Sequence, residues 1–160
     1  MKNLSLKAKK GFSLIELLVV IAIIGILSAV GITTYSGYTA NAKKQATRGI
    51  YSQVVSLINA EEAKCASGAG NYVWGGACTS DPAEASVLTY FNTTLGMKNP
   101  YATASDALVS HTAATWNTSN ANGSVQVYHN DTTDQWTIIA DIEGTSSTTT
   151  DDKSITTTAY

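Results

Sequence analysis

A nearly continuous apolar run from Phe12 to Ile32, broken only by Ser13, Glu16, Gly25, Ser28 and Gly31, constrains this chain more than any other feature. As a helix the run spans roughly 31 Å, about the hydrocarbon thickness of a bilayer. Lys2, Lys7, Lys9 and Lys10 precede it and no acidic residue does, which holds the N-terminus on the cytoplasmic side and carries the rest of the chain outward. A secretory signal has an apolar stretch of only about 7–15 residues followed by a small-residue cleavage site. Here the run is longer, and the best such site, near Ser28–Ala29, is poor. A plain anchor accounts for the length and the charge. It leaves unexplained the junction Lys9-Lys10-Gly11-Phe12 and an ionisable Glu16 inside the apolar run.

The segment Lys10-Gly11-Phe12-Ser13-Leu14-Ile15-Glu16-Leu17-Leu18, leading into Val-Val-Ile-Ala-Ile-Ile-Gly-Ile-Leu, resembles the class III signal of type IV pilins and type II secretion pseudopilins. The resemblance covers residues 9–48, about a quarter of the chain, and is specific because Gly, Phe and Glu must stand at fixed offsets before the apolar run. It implies that a prepilin peptidase cuts between Gly11 and Phe12 and methylates the new amine of Phe12. It also implies self-association into a helical homopolymer, with an inner-membrane assembly platform as a further partner and membrane lipid as the surroundings before assembly. Residues 1–11 are then a leader and 12–34 a transmembrane and filament-core helix. Residues 35–66 form the amphipathic second half of that helix and 67–160 a globular head.

Glu16 lies about 6 Å along the helix from Phe12, where the positive helix end offsets part of the cost of holding a charge in lipid. Two readings fit it: a carboxylate that snorkels to the interface, or, as the resemblance implies, one that pairs with the Phe12 amine of a neighbouring subunit. The chain departs from the family at Thr33-Thr34, where pilins commonly carry a proline. Glycine and β-branched residues are weak helix formers, so local melting between Gly25 and Thr34 stands beside a plainer reading of Gly25, Ser28 and Ala29 as close-packing positions.

Beyond the apolar run, Tyr35, Tyr38, Ala42, Ala46, Ile50, Val54, Leu57, Ile58 and Glu61 recur at spacings of three and four. The spacing predicts one apolar stripe on a helix to about Lys64, stopped by Gly68 and Gly70. Tyr35 and Tyr38 suit either a membrane interface or packing between subunits. Cys65 and Cys78 are the only cysteines; in an exported head they read as a disulfide closing a glycine-rich loop. Asp81-Pro82-Ala83-Glu84 predicts a helix start with Asp81 as cap, running to Leu95 before Gly96. Ser124–His129 and Gln135–Ile142 read as a hairpin across 130–134, with further strands at Lys153–Ala159 and within Ala107–Trp116. The fold class is α+β: a long N-terminal helix on a small antiparallel sheet.

No positioned nucleophile and base stand together, so the chain does not read as an enzyme. His111 and His129 are isolated, and His129 near Asp131 falls in a turn. No cofactor and no metal is expected. Asp141, Glu143, Asp151 and Asp152 lack the spacing of a calcium loop and read either as a solvated acidic turn or as oxygen ligands of the pseudopilin type. The Asn-x-Ser/Thr triplets at Asn92, Asn117, Asn122 and Asn130 are those a Thr- and Asn-rich chain has by chance. The side chains sum to a charge of −2, and loss of the leader makes the sum more negative. Only Lys43, Lys44 and Arg48 cluster, which argues against DNA binding by a single subunit. The resemblance leaves two functional classes. One is the major pilin of a type IV pilus, serving adhesion, motility or DNA uptake outside the cell. The other is a pseudopilin of type II secretion in the periplasm, or a minor pilin. Both begin as single-pass precursors in a bacterial inner membrane.

Overall fold

The computed structural model describes residues 11–80, 82–110 and 122–142, and the backbone of 153–158. The chain divides into two units, one ending at Thr39 and the other beginning at Ala40. A single helix, α1 (Leu14–Ala66), contributes to both.

In the first unit α1 is helical without interruption, including the stretch from Gly25 to Thr34. The Thr33 and Thr34 hydroxyls each donate to the Val30 carbonyl at 3.0 Å, a back-bonding pattern that satisfies a β-branched polar residue inside a helix. Every residue from Gly11 to Tyr38 is exposed, the apolar ones included: Leu14 is 87% and Ile32 71% accessible.

The second unit buries its part of α1. Burial begins at Thr47 and continues at Val54, Ile58, Glu61, Glu62 and Cys65. The predicted stripe is therefore correct from Ile50 onward, whereas Tyr35, Tyr38, Ala42 and Ala46 are exposed. Their periodicity runs on past the surface that covers it. Val54 and Ile58 join a core with Val87, Phe91, Leu108, Val125, Val127, Trp136 and Ile138. The helix stops where the sequence places Gly68, at φ +92°.

The sheet is four-stranded, in the order β1 (Leu108–Ser110), β2 (Val125–Asn130), β3 (Gln135–Ala140), β4 (Lys153–Thr158). The β2–β3 and β3–β4 pairs are antiparallel, as predicted, but β1 runs parallel to β2. The sheet is mixed, which corrects the antiparallel expectation. A parallel pair needs a crossover of a dozen or more residues, and the segment 111–124 has that length. Of the predicted strand within 107–116, Leu108–Ser110 is present and 111–116 lie outside the described residues. The β2–β3 turn is tied by the Asn130 side-chain oxygen, which accepts from the amides of Thr132 and Thr133 at 2.9 and 3.1 Å.

The short helix also differs from expectation. α2 spans only Glu84–Thr89, begins after an extended Ala83 with no side-chain cap, and passes into a π-helical turn over Tyr90–Thr94. The predicted cap Asp81 lies outside the described residues. The Glu84 carboxylate accepts from the Ser110 hydroxyl of β1. Gly96 ends the turn at φ +67°. Beside it the Asn92 amide is buried and bonds the backbone of Leu108 both ways, donating to its carbonyl at 2.8 Å and accepting from its N–H at 3.0 Å. Gly123 fixes the entry to β2: at φ +77°, an added Cβ would sit 2.1 Å from the Tyr101 ring, so only glycine fits.

Candidate functional site

The residues singled out at the N-terminus fall on one short segment. Gly11, Phe12 and Ser13 are non-helical and exposed, and α1 starts at Leu14. Ser13 and Glu16 form a reciprocal cap. The Ser13 amide donates to a Glu16 carboxylate oxygen at 2.8 Å, the Ser13 hydroxyl donates to the same oxygen at 2.8 Å, and the Glu16 amide donates back to the hydroxyl at 3.3 Å. This is the capping-box arrangement, which satisfies helix-start donors that have no intrahelical partner. Sequence reasoning missed this partnership, although Ser13-x-x-Glu16 is its signature. Glu16 is thus held close to its own helix start, one turn from Phe12, in a segment with no other acidic residue before Glu61.

From Phe12 to Ile32 the helix surface carries thirteen Ile, Leu or Val side chains at about half accessibility or more, among them Ile15, Leu18, Ile24 and Leu27. Burying apolar area is worth about 25 cal/mol per Å². A helix apolar on all sides is stable in lipid or among other helices, not in water. Among the described residues, α1 has the only stretch long and apolar enough to cross a membrane.

In the second unit Cys65 and Cys78 are bonded, with Cα atoms 5.3 Å apart. The loop they close is tied to α1 by neighbouring carboxylates. The Val73 amide donates to Glu61 at 2.7 Å, and Lys64 pairs with the same oxygen. Glu62, 1% exposed, accepts from the Trp136 indole at 2.7 Å and from the Tyr72 hydroxyl at 3.2 Å. Burying a carboxylate is costly unless its oxygens are satisfied, and here each oxygen has a donor. Tyr72 stacks on Trp74 with ring centroids 5.2 Å apart.

Of the remaining singled-out residues, His129 and Asp131 are brought together. His129 is buried, with Nδ1 3.0 Å from Asp131 and Nε2 3.2 Å from Asp134. Asp141 is fully buried, and Glu143, Asp151, Asp152, His111 and Asn117 lie outside the described residues. In the basic cluster, Lys43 lies over the Tyr101 ring, 5.5 Å from its centroid.

The family described as the prokaryotic N-terminal methylation motif matches residues 6–32, the segment that contains the Gly11–Phe12 junction and the Ser13–Glu16 cap. In this segment the chain resembles proteins that carry this motif, and type IV pilins are among its relatives. A fimbrial protein of Pseudomonas aeruginosa is 49% identical over 63 residues, which is 39% of either chain. A type IV major pilin protein of Neisseria gonorrhoeae is 60% identical over 35 residues, 22% of this chain and 21% of that one. A fimbrial protein of Neisseria meningitidis serogroup B shows the same identity over the same share. The chain thus spans about two fifths or less of the length of these relatives. No solved structure matches it significantly. The motif match lies on the leader and the apolar part of α1.

Proposed function

We propose that this protein is the major structural subunit of a type IV pilus, cut between Gly11 and Phe12, methylated at Phe12 and assembled through the exposed apolar half of α1. One observation carries the reading: a fully exposed apolar helix opens on a single carboxylate, Glu16, beside the residue that becomes the N-terminus. Lipid satisfies the apolar side chains before assembly and neighbouring helices satisfy them afterwards. In the filament core the Phe12 amine of an incoming subunit needs a counter-charge, and Glu16 of its neighbour supplies it. An unpaired charge in such surroundings is strongly disfavoured. The prepilin peptidase and the assembly platform are the partners this route requires. The head, rich in Thr, Ser and Asn, forms the outer surface, which serves adhesion, motility or DNA uptake.

The test separates capping from assembly. Glu16→Ala and Glu16→Gln remove the carboxylate, while Ser13→Ala removes only its capping partner. Glu16→Ala and Glu16→Gln should leave mature protein in the membrane but abolish filaments sheared from the cell surface; Ser13→Ala should keep filaments. Equal filament loss in Ser13→Ala would reduce Glu16 to a helix cap, and normal filaments in both Glu16 variants would refute the proposed assembly.

A further inference from the structure

The triplet Asn-x-Ser/Thr is the acceptor signal for an N-linked sugar, and it serves only where the asparagine nitrogen and the hydroxyl two residues on both reach the surface. A chain rich in Asn and Thr carries such triplets by chance, so their placement discriminates among them where their number does not. Three of those in the head lie within the described residues, and the fold treats them differently.

Two are closed. Asn92 is 8% exposed, and its amide is committed to both backbone groups of Leu108. Asn122 is exposed, but its triplet ends at Ser124, which is fully buried together with its hydroxyl. An enzyme reading that hydroxyl would have to unpack the entry to β2.

The third is open. Asn130 is half-buried at the end of β2, and Asp131 and Thr132 stand exposed in the turn that follows. The bonds from the Thr132 and Thr133 amides to Asn130 Oδ1 form an Asx turn, which brings the third residue of the triplet beside the acceptor amide. They occupy the oxygen of that amide. Neither its nitrogen nor the Thr132 hydroxyl has a partner among the described residues. The middle residue carries a charge, but the Asp131 carboxylate lies 3.0 Å from His129 Nδ1 and so is partnered when an anionic donor approaches.

We propose that Asn130 is an N-glycosylation site whose donor is a sugar activated as a diphosphate ester. Asn130 Nδ2 bonds to the anomeric carbon, the anomeric C–O bond breaks, the diphosphate leaves, and Nδ2 gives up one proton. The inference goes beyond the filament reading and does not rest on it, because the acceptor belongs to the head of a single subunit.

The test is made on the full chain purified from its own cells, beside the same chain made in a host that does not glycosylate asparagine. Intact mass should show an addition of one or more sugar residues, and electron-transfer fragmentation should place it on Asn130. Asn130→Gln should lose the addition completely. Thr132→Val, which leaves the acceptor in place, should lose it as well, whereas Thr132→Ser restores a hydroxyl and should keep it. Asn122→Gln should change nothing. Two donors share the chemistry, and incubating the unmodified chain with cell fractions distinguishes them. Transfer by washed membranes points to a polyprenyl-diphosphate sugar, and transfer by the soluble fraction to a nucleotide sugar. Transfer by neither fraction, an unmodified mass in the native protein, or an addition that survives both Asn130→Gln and Thr132→Val would overturn the proposal.

Discussion

Glu62 does at one position what no apolar residue could do. Its two oxygens hold the Trp136 indole of β3 and the Tyr72 hydroxyl of the disulfide loop, joining three parts of the head through a carboxylate that is 1% exposed. Glu62→Ala removes the acceptor of both bonds from a closed core, and should cost the head on the order of 3 kcal/mol. Glu62→Gln keeps one acceptor and should cost less. Denaturant unfolding followed by tryptophan fluorescence checks this; equal stability of Glu62→Ala and the natural chain would contradict it. The residue was not legible beforehand. Spacing put Glu61 on the buried stripe, but nothing local reports a partner 74 positions away. Glu16 was legible because its offset from Gly11 and Phe12 is fixed along the chain, and Ser13 was legible in principle for the same reason.

At the scale of elements, the long helix and the strands β2 to β4 read correctly, whereas the start of α2 and the direction of β1 did not. The 53 residues of α1 carry a signal that no single misplacement can erase. β2 and β3 emerged within a residue or two of their predicted bounds, since their alternation is bracketed by a turn whose Asn130 and Asp134 suit it, the latter at φ +52°. α2 starts later than the Asp81-Pro82 pattern suggested, at Glu84, whose carboxylate accepts from Ser110 across the fold. The parallel pairing of β1 could not be read at all, since three residues carry no direction. The disulfide rested on compartment and count, and the sulfurs are bonded. Replacing Cys65 and Cys78 together by Ser should destabilise the head by about 3 kcal/mol. Urea unfolding of the double variant beside the oxidised chain measures the effect. An unchanged midpoint would mean that Glu61 and Glu62 alone fix the loop.

At the scale of the whole molecule, the two units have opposite solvents. The first exposes apolar side chains at nearly every position, and the second buries its own around Trp136 and Phe91. The mature polypeptide should begin at Phe12 and carry one added methyl group at its amine, which intact-mass measurement of protein sheared from cells decides; a chain starting at Met1 or after Ala29 would end the pilus reading. A subunit assembled as proposed would live at very high local concentration among copies of itself, where a sheet whose backbone donors and acceptors are open on one side invites strands from its neighbours. Asn92 removes that invitation at β1. Its amide occupies both backbone groups of Leu108, so a side chain stands where a foreign strand would otherwise dock. The same bonds leave the Asn92 nitrogen unavailable to a glycan despite the Asn-Thr-Thr triplet around it. Strand addition is thereby obstructed at Leu108.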